Sequence, residues 1–158
     1  MASPVRFCQP RGSDAATIVD LIESLGYRPP TVGRVRALLE RVEDADGEVW
    51  LAAPAATRAP VGLVTVLLFP ALREGGMAAR IEELVVAPEW RGRGIGTLLL
   101  EHAEARARAR GALWIELHTH RGRENYARGF YASRGYEELN SAFFRRWLAD
   151  RDTAFTGR

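Results

Sequence analysis

The sequence predicts one α/β domain of the α+β type, with a mixed sheet of about seven strands and helices on both faces. Its 158 residues suit one domain that buries its own core. Segments with helical periodicity alternate with short β-rich segments, and glycine or proline separates most of them. No internal repeat or low-complexity linker divides the chain. We therefore expect residues 1–158 to form a single domain, with a frayed tail from about residue 150.

The N-terminal part predicts one strand followed by two helices. The strand is "PVRFCQ", and "SDAATIVDLIESLG" and "TVGRVRALLERVED" carry apolar residues at helical spacing. Gly26 is expected to end the first helix. The connecting "GYRPP" contains prolines that interrupt a helix, so it is expected to form an exposed loop.

Three strands are predicted next, in "GEVWLAA", "PVGLVTVLLF" and "MAARIEELVVA". A helix is expected from about Gly94 to Arg110, where apolar and charged residues separate onto opposite sides. "ALWIEL" predicts another strand, and "GRENYARGFYASR" predicts a last helix closed by Gly135. "GYEEL" and "AFFRRWL" complete the predicted order, β-α-α-β-β-β-α-β-α-β-β, as two further strands.

Composition narrows the class of protein. The formal net charge is only +2, and no dense basic patch typical of a nucleic-acid binder is visible in the sequence. Cys8 is the single cysteine, which excludes an internal disulfide and fits a reducing, cytoplasmic setting. No signal peptide is expected from the N-terminal residues, and the longest apolar run is too short for a membrane span. No Cys/His cluster has metal-ligand spacing, so no metal is expected.

The stretch "VVAPEWRGRGIGTLLL" combines a strand end, three glycines and a helix start. Unpaired amides and the helix dipole make such a helix start attractive to phosphate groups, and glycines let the main chain approach them closely. A P-loop is excluded because it requires lysine and the chain has none. The dinucleotide fingerprint Gly-x-Gly-x-x-Gly does not fit either. "RGRGIG" fits Arg/Gln-x-x-Gly-x-Gly/Ala, while a solvated flexible turn remains the alternative interpretation.

Taken together, these motifs resemble those of the GNAT superfamily of N-acetyltransferases. "IEELVVAPEWRGRGIGTLLLEHAEARARARGA" is similar to the acetyl-CoA-binding segment of that superfamily. "NYARGFYASRGYEEL" is similar to its C-terminal motif, and "LGYRPPT" falls in its variable acceptor-side region. The resemblance covers nearly the whole chain. It implies a GNAT fold, with a mostly antiparallel sheet that contains one splayed pair of parallel strands.

The resemblance also implies where acetyl-CoA, the co-substrate, is bound. It would lie between the strands ending at Val86 and near Leu117, with the pantetheine arm along the first of them. Amides of the glycine turn would hold the pyrophosphate, and Asn125 and Tyr131 would lie near the thioester. The implied acetyl-CoA-binding residues are Val85, Val86, Arg91, Gly92, Arg93, Gly94, Ile95, Gly96, Thr97, Asn125 and Tyr131.

The implied reaction is direct acetyl transfer to a primary amine. Such an amine, with a pKa near ~10.4, is about 0.1% neutral at physiological pH, so a base would accelerate the reaction. Glu82 or Glu83 is the candidate base, and strand alternation predicts that only one of them points inward. His118 and His120 follow the next strand and are alternatives. Tyr131 is the candidate acid for the departing thiolate; its alternative role is packing within the last helix.

The expected function is therefore acetyl-CoA-dependent N-acetylation of a small-molecule amine. Two alternatives remain open: acetylation of protein N-termini or lysines, and a non-catalytic acyl-CoA sensor. The resemblance is compatible with a homodimer. Neither a specific nucleic-acid partner nor a membrane is expected. The sequence does not name the acceptor.

Overall fold

A computed structural model describes residues 5–42, 44–55, 57 and 59–149, and its central feature is a five-stranded sheet in the order β1-β2-β3-β4-β5. Neighbours from β1 to β4 pair antiparallel, whereas β4 and β5 pair parallel. The predicted mixed, mostly antiparallel sheet is thus confirmed. The strands are β1 (Val5–Cys8), β2 (Gly47–Pro54), β3 (Gly62–Ala71), β4 (Gly76–Val86) and β5 (Ala112–Leu117).

Helices cover both faces of this sheet, as predicted. They are α1 (Ala15–Glu23), α2 (Val32–Leu39), α3 (Ile95–Ala109) and the short α4 (Glu124–Ala127). Thr31 begins α2, and its hydroxyl accepts a hydrogen bond from the Arg34 amide at 3.3 Å. Helix α3 connects the parallel strands β4 and β5. No helix in the described part of the chain is both long and apolar enough to cross a bilayer.

Two apolar cores lie on opposite faces of the sheet. On one face α1 and α2 pack against β2, β3 and β4 through residues that include Leu51, Leu63 and Val85. On the other face α3 packs through Leu99, Leu100 and Ala103 against the reverse sides of the same strands. The Phe130–Tyr131 region packs beside α3, against this second core. The end of β4 therefore lies between two packed layers, which fix its position.

The prediction of about seven strands was wrong for the last two. Both "GYEEL" and "AFFRRWL" lack strand structure up to residue 149. The large apolar side chains of "AFFRRWL" face solvent: Phe144 is 89% exposed and Leu148 is 95% exposed. A β-rich composition produces a strand only where a neighbouring ladder accepts its main-chain groups, and within the described residues β5 pairs with β4 alone. The tail predicted to fray, from about residue 150, lies outside the described residues.

The last helix is also shorter than predicted. Helix α4 ends at Ala127, and a 3₁₀ turn at Ala132–Arg134 follows after a break. Gly129 lies in the break with φ of 65°, a backbone conformation that leaves the helical region. Gly135 closes the segment with φ of 84°, as its position predicts.

Candidate active site

The parallel pairing of β4 and β5 stops before β4 ends. Its last partners are Ile81 and Leu117, whereas β4 continues to Val86. Residues 82–86 of β4 therefore present main-chain groups that β5 does not pair, although β3 still pairs with their other side. The strand pair predicted to splay at Val86 and Leu117 is present. The opening gives an extended ligand a strand edge to bind.

A β-bulge determines which acidic residue of β4 faces the α1–α2 side. Thr65 pairs with Glu83 and the next residue, Val66, pairs with Ile81, so Glu82 is the additional residue. The bulge shifts the alternation of side chains along β4. As a result Ile81 belongs to the core under α3, whereas Val85 belongs to the core under α1 and α2. Glu83 is half-buried on the Thr65 side, and Glu82 is exposed.

The environment of Glu83 differs from that of an ordinary surface carboxylate. Burial raises the pKa of Glu83, and the charge of Glu82 raises it further. A hydrogen bond with Thr65 acts in the opposite direction and lowers the pKa. A carboxylate with a raised pKa is a stronger base than an ordinary one, because its proton affinity is closer to that of the group it must deprotonate.

The glycine turn leads directly into α3. Gly92 and Gly94 have φ of 74° and 81°, and Gly94 is the residue that begins the helix. No side chain caps this helix start within the described residues. The Leu98 amide donates to the Gly94 carbonyl at 3.1 Å, so the amides of residues 95–97 precede the first helical hydrogen bond. The turn thus offers main-chain donors at the positive end of the helix dipole.

Two of the predicted phosphate-binding residues already make contacts. The Arg91 guanidinium donates from Nε to the Val86 carbonyl at 3.0 Å and from Nη2 to the Ser24 carbonyl at 3.4 Å. It thereby connects the end of β4 to the end of α1. The Arg93 guanidinium lies over the Trp90 ring, 4.7 Å from its centroid. Both arginines remain exposed beside the turn.

A third arginine, which sequence reasoning missed, lies at the same helix start. Arg134 donates from Nη2 to the Thr97 hydroxyl at 2.6 Å and from Nη1 to the Phe130 carbonyl at 2.7 Å. Its guanidinium lies 4.1 Å from the centroid of the Phe130 ring. In the sequence, Arg134 is recognisable only as a basic residue three positions after Tyr131. Its place at the start of α3 depends on the packing of the segment around Tyr131 against that helix.

Tyr131 lies on the same segment and is half-buried. Its ring packs edge-on against Phe130 and Tyr136, with centroids 5.0 and 5.9 Å away. Burial raises the pKa of the phenol, while the charge of Arg123 and the Asn125 side chain lower it. The phenol therefore stays protonated at neutral pH and can act as a proton donor.

One large open cavity, of about 2960 Å³, brings several predicted residues together. Glu82, Glu83, Asn125 and Tyr131 all line it, together with the loop that contains Tyr27. The glycine turn does not line this cavity. It adjoins the cavity through Arg134, which lines the cavity and donates to the Thr97 hydroxyl at 2.6 Å.

The candidate histidines are more peripheral. His118 and His120 line the cavity at the end of β5 but are exposed, and the His118 ring lies 4.4 Å from that of Phe143. His102 on α3 packs instead between Phe7 and Trp50, as a core residue. Among the described residues, no group of three His, Cys, Asp or Glu side chains is arranged to hold a metal ion.

Comparison with known proteins identifies the family of this chain. Residues 16–136 match the profile of the Acetyltransferase (GNAT) family. The chain is also 37% identical over 83 residues to an aminoalkylphosphonate N-acetyltransferase of Salmonella typhimurium. That match covers 52% of this chain and 53% of the relative, so the chain spans about half the length of the curated relative it matches.

Solved structures with this fold cover nearly the whole chain. A protein described as a transcriptional regulator from Bacillus halodurans superimposes with a TM-score of 0.78 at 26% identity, covering 91% of this chain and 100% of that one. Glucosamine-6-phosphate N-acetyltransferase from Arabidopsis thaliana superimposes with a TM-score of 0.74 at 19% identity, covering 92% and 99%. The second similarity concerns the fold alone.

Proposed function

The chain belongs to the Acetyltransferase (GNAT) family, and on that premise we propose that it transfers an acetyl group directly from acetyl-CoA to the primary amine of a small molecule. The observation that carries the proposal is the junction of two features. The unpaired edge of β4 over residues 82–86 leads, through the glycine turn, to the uncapped start of α3. An extended pantetheine arm suits the first feature, and a pyrophosphate suits the second.

The residues fit acetyl-CoA because each part of this molecule has a suitable protein group to bind. The amides of the pantetheine arm would pair with the main chain of β4 around Val85 and Val86, along the edge that β5 leaves unpaired and beside the Val86 carbonyl that accepts from Arg91. The Arg91 amide already donates to the Pro88 carbonyl at 3.3 Å, which leaves the amides from Gly92 to Thr97 for the pyrophosphate. Positive φ angles at Gly92 and Gly94 shape this turn. When bound, acetyl-CoA supplies the thioester that is the source of the acetyl group.

Arginines around the turn supply the positive charge that phosphates require. Arg93 and Arg134 both lie beside the turn, stacked on Trp90 and Phe130 respectively. Stacking holds a guanidinium in place, so less conformational entropy is lost when it binds a phosphate. Arg91 has a different role in this proposal. Its hydrogen bonds to the Val86 and Ser24 carbonyls hold the end of β4 in place beside α1.

Glu83 is the proposed base, acting directly or through a water molecule. It is the acidic residue of β4 that the bulge turns toward the Thr65 side of the sheet, and it lines the cavity. Its raised pKa suits acceptance of a proton from an ammonium group. Glu82, exposed at the bulge, contributes negative charge that favours a cationic amine nearby.

Tyr131 is the proposed acid that protonates the departing thiolate. An ordinary phenol has a pKa near ~10 and a thiol near ~8.5, so this transfer is uphill by about 2 kcal/mol in water. Burial makes the transfer less favourable by raising the pKa of Tyr131, whereas Arg123 and Asn125 make it more favourable. The relative that acts on aminoalkylphosphonates, as its name states, supports a small-molecule amine as the acceptor.

The direct test measures CoA thiol release with a panel of primary amines, together with the thermal stability of the protein. Acetyl-CoA at 100 times its Kd should stabilise the fold by about 2.7 kcal/mol, which raises Tm by several degrees. Thiol release should require both the protein and an amine. Absence of a thermal shift at millimolar acetyl-CoA would contradict the proposal. A thermal shift with no thiol release across the panel would favour the sensor alternative.

A further inference from the structure

Arg123 occupies a distinctive position in the cavity. It is the residue that begins α4, and its side chain reaches back to the loop after α1. Its Nη2 donates to the Leu25 carbonyl at 3.2 Å, and its guanidinium lies over the Tyr27 ring, 5.2 Å from the centroid. Arg123, Tyr27 and Tyr131 all line the cavity. The guanidinium thus lies between the acceptor-side loop and the segment that carries the candidate acid.

Three of the other arginines that line this cavity are paired with carboxylates, and four more are exposed, namely Arg28, Arg41, Arg134 and Arg145. Arg80 pairs with Glu116, Arg121 pairs with Glu138, and Arg108 pairs with Glu104. Arg123 forms no salt bridge with a carboxylate among the described residues; its hydrogen-bond acceptor is a neutral carbonyl. A guanidinium has five N–H donors, so this bond leaves others available to a ligand. A half-buried cation with free donors in a cavity favours an anion.

The acidic residues of β4 and Arg123 lie on different elements that line the cavity. Glu82 and Glu83 provide negative charge on the β4 wall, and Arg123 provides positive charge at the start of α4. Arg123 and Tyr131 line the same cavity. Burial raises the pKa of the Tyr131 phenol, and the charge of Arg123 opposes that increase. A molecule with an ammonium group at one end and an anionic group at the other would match both walls.

We propose that Arg123 binds an anionic group of the acceptor, so that the substrate is a short amine bearing a carboxylate, phosphate or phosphonate. The inference rests on the proposed acetyltransferase function and narrows its substrate class. Arg123 is a specificity-determining residue: it binds the acceptor at the end opposite the amine, and the planar guanidinium suits bidentate contact with an oxyanion. The stacked Tyr27 ring holds that plane in position.

The test compares acceptors that differ in the anionic group alone. The anionic acceptors are 3-aminopropylphosphonate, O-phosphoethanolamine and β-alanine, which distinguish phosphonate, phosphate and carboxylate; butylamine is the neutral reference. The wild type should show kcat/KM about 10- to 100-fold higher for at least one anionic acceptor than for butylamine. Arg123→Gln should remove most of that preference by raising KM for the anionic acceptor, and Arg123→Lys should retain part of it.

A matched control separates the loss of this contact from the loss of one positive charge. Arg73→Gln makes the same chemical change in the hairpin between β3 and β4, where the side chain is 91% exposed. It should leave the preference unchanged. If Arg123 only fastens the loop after α1 to α4, Arg123→Gln would lower kcat/KM for anionic and neutral acceptors equally, which would overturn the inference.

A binding measurement decides the inference even without turnover. 3-Aminopropylphosphonate should raise Tm of the wild type and of Arg73→Gln but not of Arg123→Gln, while butylamine should raise none of them. Thiol release from butylamine and the anionic acceptors at equal rates would refute the anion site and leave the acetyltransferase function intact. Failure of acetyl-CoA itself to shift Tm would contradict the proposed function instead, so the two failures are distinguishable.

Discussion

The Arg134 guanidinium donates a hydrogen bond to the Thr97 hydroxyl at 2.6 Å, which places a cation from the C-terminal segment at the uncapped start of α3. The two residues lie 37 positions apart in the sequence. Their contact connects the segment that carries Tyr131 to the turn proposed to bind the diphosphate of acetyl-CoA. The contact between Arg134 and Thr97 therefore stabilises both the proposed acetyl-CoA site and the segment that carries the candidate acid.

Replacing Arg134 with Gln should weaken the binding of acetyl-CoA by about 10- to 100-fold, because a charge-assisted contact to phosphate contributes about 1.5–3 kcal/mol. Binding of acetylpantetheine, which lacks the diphosphate, should be unaffected. Isothermal titration with both ligands measures the difference. Arg108→Gln, at the other end of α3, is the matched control and should bind both ligands as the wild type does. Equal losses for both ligands in Arg134→Gln would assign Arg134 to packing.

Gly94→Ala should destabilise the protein by about 1 kcal/mol and weaken acetyl-CoA binding. Gly94 begins α3 with φ of 81°, where an L side chain is strained. Gly33→Ala is the control, because Gly33 lies within α2 without a positive φ and nothing lies within 4 Å of an added Cβ. It should be neutral or stabilising, by up to about 1 kcal/mol. Urea denaturation and titration with acetyl-CoA check both variants. Similar behaviour of the two would argue against a special conformation at Gly94.

Glu83→Gln should lower kcat/KM about 10²-fold at neutral pH and remove the acidic limb of the pH profile. A base works only above its pKa. Burial raises the pKa of Glu83. The activity of the wild type should therefore begin to fall, as the pH is lowered, at a pH above the ordinary pKa range of carboxyl groups. Glu82→Gln removes the adjacent charge that raises the pKa of Glu83. This variant should therefore retain the acidic limb of the pH profile but shift it to lower pH. Steady-state rates from pH 5 to 9 test this. An unchanged limb in Glu83→Gln would exclude Glu83 as the base.

Tyr131→Phe should lower kcat by about 10²-fold or more while acetyl-CoA affinity stays close to that of the wild type, because the ring is retained and the proton is lost. Tyr126→Phe is the matched control. Its hydroxyl donates to Glu138 at 2.7 Å on the surface, so its removal should leave kcat within about twofold. Thiol-release kinetics under saturating acetyl-CoA provide the comparison. A Tyr131→Phe variant with normal kcat would leave the residue a packing role only.

Glu48 should contribute stability that is lost in acid. It is 5% exposed, and it accepts hydrogen bonds from Arg106, Arg110 and Trp50. The hydrogen bond from Arg106, the largest cause, helps to lower the pKa of Glu48 to about 2, although burial opposes this. A lowered folded-state pKa gives stability that is complete above the unfolded pKa and disappears as pH falls through the folded pKa. The contribution is about 3 kcal/mol, lost between about pH 5 and pH 2.

Comparison with Glu48→Gln isolates this effect from that of other carboxylates. The variant should be less stable than the wild type by about 3 kcal/mol at pH 7, and the difference should shrink toward pH 2.5. Glu74→Gln, which removes an exposed partner of Arg73, should change stability by less than about 0.5 kcal/mol at either pH. Denaturant titration at the two pH values gives these differences. A constant difference for Glu48→Gln would contradict the assigned ionisation.

Local patterns predicted much of the fold and part of the candidate site. The glycines before α3 and the helical periodicity after them identified a turn and a helix start, and the structure has both. The motifs around them indicated the GNAT family, which the match over residues 16–136 confirms. The roles of Tyr131, Asn125 and the glycine turn in binding and catalysis stay predictions. Two strands predicted from composition after Gly135 were wrong, since composition does not supply a partner strand.

The sequence by itself determined the elements whose signals are local: the periodicity of α1 to α3, the glycine turn before α3, and the order of strands up to β5. Only the tertiary structure decided which acidic residue of β4 faces the α1–α2 side, because that depends on the bulge created by pairing with β3. It also decided that Arg134 meets Thr97 and that Arg123 meets Tyr27. These relationships join residues far apart in the chain, and strand register and helix packing, rather than neighbouring residues, bring them together.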